Sequence, residues 1–127
     1  MGYLIVFFGA GIGGALRHGV NLAAARQFGF GFPYGTAIVN VLGSFLIGLF
    51  AGYFAFRTGY SQHTRLFMTT GLLGGFTTFS AFSLDAALLL ERHQYWLAAG
   101  YIAGSVGISL ISLFFGLALF RTSVHLP

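Results

Sequence analysis

Four long runs of apolar residues follow one another along the chain, separated by short breaks rich in glycine, proline and charged residues. The runs cover residues 3–25, 34–56, 66–90 and 95–120. Each is about as long as the roughly 20 apolar residues that a helix needs to cross a bilayer. Their apolar character is continuous and does not alternate, which excludes the strands of a membrane barrel. The pattern predicts an all-α membrane protein with four transmembrane helices, in which residues 1–127 form one domain.

The composition agrees with a bilayer as the solvent of this chain. Hydrophobic residues make up 57% of the 127 residues and charged residues only 6%, whereas soluble domains contain roughly 25% charged residues. Cysteine is absent from the sequence, which excludes thiolate chemistry and cysteine metal sites. The histidines lack the spacing of a metal site, and the serines lack a spaced His–Asp pair that would indicate nucleophilic catalysis. We therefore expect a protein that is not an enzyme.

The arginines are distributed so evenly that they carry almost no orientation signal. With four spans, both termini lie on one side of the membrane. Three arginines fall on that side and three on the other: Arg57, Arg65 and Arg121, and Arg17, Arg26 and Arg92. Basic residues in loops normally decide which way a membrane protein inserts. Either lipid or a late signal decides here, or the chain inserts both ways and pairs as an antiparallel dimer.

Small residues predict close packing between the helices. The sequence contains 20 glycines, and small residues four positions apart let membrane helices approach each other closely. Every span has such a pair: Gly9/Gly13, Gly48/Gly52, Gly71/Gly75 and Gly100/Gly104. Four short helices also enclose little interior, so a pathway through one copy would be thin-walled. We therefore expect an oligomer with close helix contacts.

Asn40 is a polar residue inside the second run. It lies about six positions from the start of the run, which is roughly 9 Å along a helix at 1.5 Å per residue. An amide at that depth is costly unless it has hydrogen-bond partners. It either bonds to another helix or donates its N–H groups to an anion or to water in a pore. The sequence leaves both roles open.

The third run is the least helix-like of the four. The adjacent Gly74 and Gly75 each lower helix propensity by about 1 kcal/mol relative to alanine. An interrupted helix is tolerated in a membrane only where it is buried or lines a cavity. Freed carbonyls at Gly74 and Thr77 could then bind a hard cation such as Na⁺, and the hydroxyls of Thr78 and Ser80 could face an anion. The alternative is an ordinary packing seam of small residues.

Two rows of side chains near this interruption are candidates for an anion pathway. Phe79 and Phe82 share a helix face, and their positive ring edges could attract an anion, although lipid or packing contact is the commoner role of phenylalanine in a span. Tyr101, Ser105 and Ser109 form a stripe of hydroxyls on the fourth run, suited either to helix–helix bonding or to lining a pore.

Arg17 and Asp85 are the charged residues expected to lie deepest in the membrane. Arg17 lies near the end of the first run, and Asp85 follows one turn after Phe82. Each is interpreted as a vestibule group or an interface group.

Three segments of the chain resemble the fluoride channels of the Fluc (CrcB) family. They are residues 13–17, residues 35–45 and above all residues 74–83, with the sequence GGFTTFSAFS. The resemblance extends over all four spans. It implies a passive and highly selective fluoride channel that exports fluoride and protects a microbe from its toxicity. It also implies a dual-topology, antiparallel homodimer with two pores in the inner membrane of the cell.

The resemblance further implies roles for residues of the anion pathway. Asn40 would be the pore amide, and Phe79 and Phe82 would be the two pore phenylalanines. The remaining positions would form a polar track on the fourth helix: Tyr101, Ser105 and Ser109.

Outside the pathway, the resemblance implies a cation site and a vestibule. Gly74 and Thr77 would each lend a backbone carbonyl to a structural Na⁺ on the dimer axis. Thr36 would line a vestibule, and Arg17 would match the arginine of the family's first span. Ala81 departs from the common pattern, in which many relatives have a hydroxyl residue. Asp85 also departs from it, because it stands where glutamate is common.

A proton-coupled transporter of the small multidrug type is the main alternative. Such exporters are also short, four-span and often dual-topology proteins. They need an ionisable carboxylate within a span for proton exchange, whereas the first run has no acid and Asp85 and Glu91 lie late in the third. A membrane scaffold without transport is a further alternative.

Overall fold

Five helices account for most of the chain. The computed structural model describes residues 1–56 and 62–125, and the side chains of residues 1–54 and 62–119. The helices are α1 (Gly2–Phe28), α2 (Tyr34–Phe56), α3 (residues 62–76), α4 (Phe79–Glu91) and α5 (Tyr95–His125). Two arginines used in the orientation count fall outside this description, Arg57 entirely and Arg121 in its side chain.

Within the described residues, four helical segments are long and apolar enough to cross a membrane. They are Gly2–Phe28, Tyr34–Phe54, Gln62–Glu91 and Tyr95–Leu119. The first and third segments begin before and end after their apolar runs, and α5 continues beyond the fourth run to His125. The prediction of an all-helical chain with four membrane-spanning helices is therefore confirmed by length and composition.

The third span is built from several short pieces. It begins with an α-helical turn (Gln62–Leu66), continues as a π-helix (Phe67–Leu73) and ends its first half with one turn (Gly74–Phe76). Together these pieces form α3. Thr77 then has φ −85° and ψ 160°, and Thr78 has φ −154° and ψ 120°, so both are extended. The predicted interruption is present, and it lies at these two threonines before α4 restarts the helix.

Glycines bring α1 against the first half of the third span. A Cβ atom added to Gly13 would collide with the carbonyl oxygen of Leu72, and one added to Gly75 would lie 2.5 Å from the carbonyl oxygen of Ala10. Gly9 and Gly71 meet in the same way, with an added Cβ on Gly9 only 2.9 Å from the Cα of Gly71. The close packing expected from the pairs Gly9/Gly13 and Gly71/Gly75 is therefore confirmed.

Helices α2 and α5 pack closely and run in the same direction. An added Cβ on Gly48 would collide with the carbonyl of Leu113, and one on Gly116 would collide with that of Phe45. Nearer the start of both helices, Ala37 packs against the cluster that contains Tyr101. Gly100 and Gly104, in contrast, have no atom within 4 Å of an added Cβ. This fourth glycine pair therefore makes no close helix contact within the described chain.

Candidate functional site

Asn40 holds the interruption of the third span in place from the neighbouring helix. Its Nδ2 donates a hydrogen bond to the carbonyl of Thr78 at 2.9 Å, and its Oδ1 accepts one from the Thr78 N–H at 2.8 Å. Because both amide heteroatoms bind one residue of the break, Asn40 makes the interhelical hydrogen bond that was one of its two expected roles. An amide nitrogen carries two N–H donors, so one donor remains for a further ligand.

The break frees backbone carbonyls by diverting the N–H groups that would reach them in a continuous helix. The Thr78 N–H, four residues after Gly74, donates to Asn40 Oδ1. The Ala81 N–H, four residues after Thr77, donates to Thr78 Oγ1 at 3.1 Å and so caps α4. Gly74 and Thr77 are therefore two of the residues whose carbonyls lose their usual helical donors.

These two carbonyls fit a hard cation only in part. Hard cations prefer oxygen ligands, which backbone carbonyls supply, and Gly74 lies exposed at the surface of the single chain. Two carbonyls nevertheless form an incomplete ligand set. A Na⁺ site on them requires further oxygens from another molecule.

Arg17 binds the same break from α1. Its Nε donates to the carbonyl of Gly75 at 3.2 Å, which lies between the two freed carbonyls in the sequence. A positive group at the end of a helix also interacts favourably with the helix dipole. Arg17 thus satisfies a backbone acceptor at the end of α3, and it is absent from the lining of the two cavities described next.

A cavity of about 260 Å³ opens between α2, the break, α4 and α5. We call it the break cavity. It is lined by Asn40, Ser44, Ile47, Thr77, Thr78, Phe79, Phe82, Ser105, Val106 and Ser109. The structure thereby brings most of the predicted pathway residues to one place. Its lining contains amide, hydroxyl and aromatic groups but no charged side chain, which suits a small anion that must be released again.

Three residues of the break cavity were not among the sequence candidates. Ile47 and Val106 are ordinary apolar residues, and nothing in their spacing distinguishes them. Ser44 lies four positions after Asn40 and therefore shares its helix face. That spacing was the signal in the sequence that could have identified it.

The two candidate phenylalanines have different surroundings. Their ring centroids lie 5.7 Å apart with the planes tilted by 45°. Phe79 is 76% exposed in the single chain, whereas Phe82 is only 8% exposed. The ring of Phe82 in turn packs 5.1 Å from that of Tyr101. Phe82 is therefore fixed by packing, and Phe79 presents its ring at the surface of the chain.

A second cavity, of about 330 Å³, lies at one end of the helix bundle. We call it the end cavity. Its polar lining includes Asn21, Thr36, Asp85 and Arg92, together with the connection at residues 29–33. Thr36, expected in a vestibule, and Asp85, expected as a vestibule or interface group, lie here and not in the break cavity. Ala81, which departs from the common family pattern, also lines this cavity.

Tyr101 links the surroundings of the two cavities. Its side chain is 1% exposed, its ring packs on Phe82, and its hydroxyl donates to Asp85 Oδ2 at 3.3 Å. Ser80, by contrast, is exposed and lines neither cavity. Its Oγ lies 3.3 Å from Thr78 Oγ1, so it supports the break from the surface.

Comparison with known proteins finds relatives along nearly the whole chain. The family model described as "CrcB-like protein, Camphor Resistance (CrcB)" matches residues 4–117. A protein from Rhodopseudomonas palustris (strain BisB5), named "Fluoride-specific ion channel FluC", is 58% identical over 121 residues, which cover 95% of this chain and 98% of that protein.

Two further relatives carry the same name. The one from Granulibacter bethesdensis is 57% identical over 98% of both chains. The one from Rhizobium meliloti is 49% identical over 95% of this chain and 97% of that protein. Together with the four apolar helices, these similarities identify a multi-pass membrane protein.

Proposed function

The chain belongs to the CrcB-like protein family, and on this premise we propose that it is a passive channel, and not an enzyme, that carries fluoride out of the cell. The observation that carries the proposal is the break cavity, in which an amide, hydroxyls and two phenylalanine rings meet at an interrupted membrane helix. Relatives at 49–58% identity are named as fluoride-specific ion channels. Export by such a channel protects the cell from fluoride toxicity.

The chemistry of the cavity explains why fluoride would be accepted. Fluoride is small and a strong hydrogen-bond acceptor, so the remaining N–H of Asn40 and the hydroxyls of Ser105 and Ser109 can replace part of its water shell. The positive ring edges of Phe79 and Phe82 add attraction without a full positive charge. Binding that is favourable yet weak enough for release is what conduction requires.

We propose that the working unit is a homodimer. Gly74 and Ser80 are exposed near the break on the surface of one chain. Phe79 is 76% exposed there. Irregular backbone is not tolerated against lipid, because hydrocarbon offers it no hydrogen bonds. A second copy placed over the break would cover these groups and supply the side chains that line the open side of the pathway. The even distribution of arginines favours two copies in opposite orientations in the inner membrane.

The same arrangement supports a structural Na⁺ between the two copies. Gly74 and Thr77 of each subunit would supply carbonyl oxygens that the break has freed from their helical donors. Two such pairs would complete a set of oxygen ligands that one chain leaves incomplete. Arg17 would occupy the carbonyl of Gly75, which lies between Gly74 and Thr77 in the sequence, so that this carbonyl does not bind the ion.

The end cavity would serve as a vestibule of the pathway. Thr36 and Asp85 lie there, and Tyr101 connects Asp85 with Phe82 at the break cavity. A proton-coupled exporter would instead need a carboxylate at the transport site. No acidic residue lines the break cavity, and the comparisons give no support to this alternative.

A liposome assay separates a channel from a transporter and from a scaffold. The purified protein is reconstituted, and fluoride efflux is followed with a fluoride electrode while membrane potential and pH gradient are varied independently. We expect efflux that is driven by potential and needs no proton gradient. Strict dependence on a proton gradient would support the exporter, and absence of efflux would support a scaffold.

A further inference from the structure

Helices α2 and α5 present polar residues to each other in a regular register. Gly48 of α2 contacts Leu113 of α5, which is 65 positions later in the chain. The same offset of 65 relates Thr36 to Tyr101, which interact nearer the start of both helices, whereas Gly116 meets Phe45 and Leu49 at larger offsets. The offset defines three polar levels: Thr36 with Tyr101, Asn40 with Ser105, and Ser44 with Ser109.

The third level lies one helical turn beyond the residues with an assigned role on α2. Four residues of an α-helix span about 6 Å, so Ser44 and Ser109 lie about that distance further along the bundle than Asn40 and Ser105. Ser44 and Ser109 both line the break cavity. The cavity thus continues past the amide of Asn40 to a pair of hydroxyls on facing helices.

The hydroxyls of this level are not satisfied by the protein. Ser109 Oγ is buried and has no hydrogen-bond partner among the described residues. The Ser44 hydroxyl likewise makes no side-chain hydrogen bond within the described chain. A hydroxyl without a partner is costly in an apolar environment, and serines in helices commonly bond back to the preceding turn. The buried, unpaired hydroxyl of Ser109 and the half-buried hydroxyl of Ser44 in the lining of the same cavity point to a bound water or ion as their partner.

We propose that Ser44 and Ser109 form a binding site for a small anion, one turn beyond Asn40, at which a fluoride ion accepts a hydrogen bond from each hydroxyl. Ser44 is then a specificity-determining residue on α2 that complements the hydroxyl stripe of α5. The inference rests on the proposed channel function, because it names a further station on the same pathway. Between ions, a water molecule occupies the site and satisfies both serines.

The test compares Ser44→Ala with a matched serine variant in reconstituted liposomes. Ser112→Ala is the control, because Ser112 of α5 lines a separate groove with apolar neighbours such as Phe45 and Ile111. We expect Ser44→Ala to slow fluoride efflux about tenfold, as expected from the loss of a hydrogen bond to a charged group, and to raise the fluoride concentration at which efflux saturates. Ser112→Ala should match the wild type in both respects.

Two further variants separate binding from a merely structural effect. Ser44→Thr keeps the hydroxyl and should restore most of the efflux. If both serines bind one ion, Ser44→Ala/Ser109→Ala should slow efflux by less than the product of the two single effects. Wild-type efflux and saturation in Ser44→Ala would overturn the inference while leaving the channel proposal intact, as would a Ser44→Thr variant as slow as Ser44→Ala. A wild-type protein that carries no fluoride would overturn both.

Discussion

Asn40 connects two features that look independent in the sequence, a polar residue in the second span and a broken helix in the third. Its amide binds the N–H and the carbonyl of Thr78 at 2.8 and 2.9 Å. By taking the Thr78 N–H, it also removes the helical donor of the Gly74 carbonyl. One side chain therefore shapes the break cavity and the candidate cation site together.

Replacing Asn40 with alanine should weaken both the fold and the flux. The variant leaves the N–H and the carbonyl of Thr78 without their partner, which costs about 1–3 kcal/mol for buried groups. We expect the melting temperature in detergent to fall by several degrees and fluoride efflux to fall more than tenfold. Thermal unfolding and liposome efflux measure the two effects. A variant with unchanged melting and unchanged efflux would contradict the role of Asn40 at the break.

The two phenylalanines should respond differently to the same substitution. Phe79→Ile and Phe82→Ile each remove a ring edge and should slow efflux up to about tenfold, equivalent to about 1.4 kcal/mol of aromatic interaction. Phe82→Ile should also lower the melting temperature, because Phe82 is 8% exposed and packs on Tyr101, whereas Phe79 is 76% exposed in the single chain.

Phe114→Ile is the control for this pair. Phe114 is 64% exposed on α5 and lines neither cavity, so its replacement should leave efflux and melting unchanged. Wild-type efflux in both Phe79→Ile and Phe82→Ile would contradict the assignment of these phenylalanines to the fluoride pathway.

The sequence predicted site residues wherever burying a polar side chain in a membrane costs free energy. Asn40 was a candidate for that reason, and its location at the break cavity agrees. Its partner, Thr78, was not readable, because a hydrogen bond between residues 38 positions apart depends on how two helices are placed. The same limit applies to the bond from Arg17 to Gly75 and to the position of Ser44 and Ser109 in the lining of one cavity.

At the scale of elements, the seam between α1 and α3 positions the half of the third span that precedes the break. Gly13 and Gly75 allow backbone contact that a Cβ atom on either residue would prevent. The π-helical stretch Phe67–Leu73 belongs to the same contact, since Gly71 meets Gly9 there. The first half of the third span is therefore fastened to α1, and Arg17 binds its end.

Alanine substitutions in α1 should distinguish this seam from the rest of the helix. Gly13→Ala places a Cβ against the carbonyl of Leu72 and should destabilise the protein by about 1–3 kcal/mol, as overpacking does. Gly11→Ala has no atom within 4 Å of the added Cβ and should be neutral or slightly stabilising, because alanine favours a helix. Thermal unfolding of both variants is the measurement. Equal melting temperatures would contradict the seam.

The elements themselves were largely predictable, and their internal detail was not. Apolar runs of about 20 residues predicted four helices because a bilayer requires that length. The glycines and hydroxyl residues of 74–83 predicted the interruption, which the structure locates at Thr77 and Thr78. The π-helix was missed, because no local sequence pattern marked it, although Gly71 within it meets Gly9 of α1. Gly100 and Gly104 make no close contact within the described chain, so for this pair the predicted packing could only involve a second copy and stays a prediction.

For the whole molecule, the balance of arginines makes orientation testable. Arg26→Gln/Arg92→Gln removes two charges from one side and should bias insertion toward a single orientation. If the channel is an antiparallel dimer, this variant alone should lose most of its efflux. Labelling of a C-terminal tag from each side of the membrane reports the orientation, and efflux from the same cells reports function.

Co-expression provides the control for this orientation variant. A variant with the opposite bias, Arg65→Gln/Arg121→Gln, should restore efflux when both are made together, and Arg26→Lys/Arg92→Lys should behave as the wild type. Full efflux from a population with a single orientation would contradict the antiparallel pair.

The central claim is that this chain forms a passive pathway selective for fluoride, and the reversal potential in a planar bilayer tests it most directly. With a tenfold fluoride gradient and equal chloride on both sides, a fluoride-selective channel reverses at about 59 mV, the value for a tenfold ratio of a monovalent ion. The account predicts this value, unchanged when a pH gradient is added. A reversal near zero, or one that moves with the pH gradient, would contradict it.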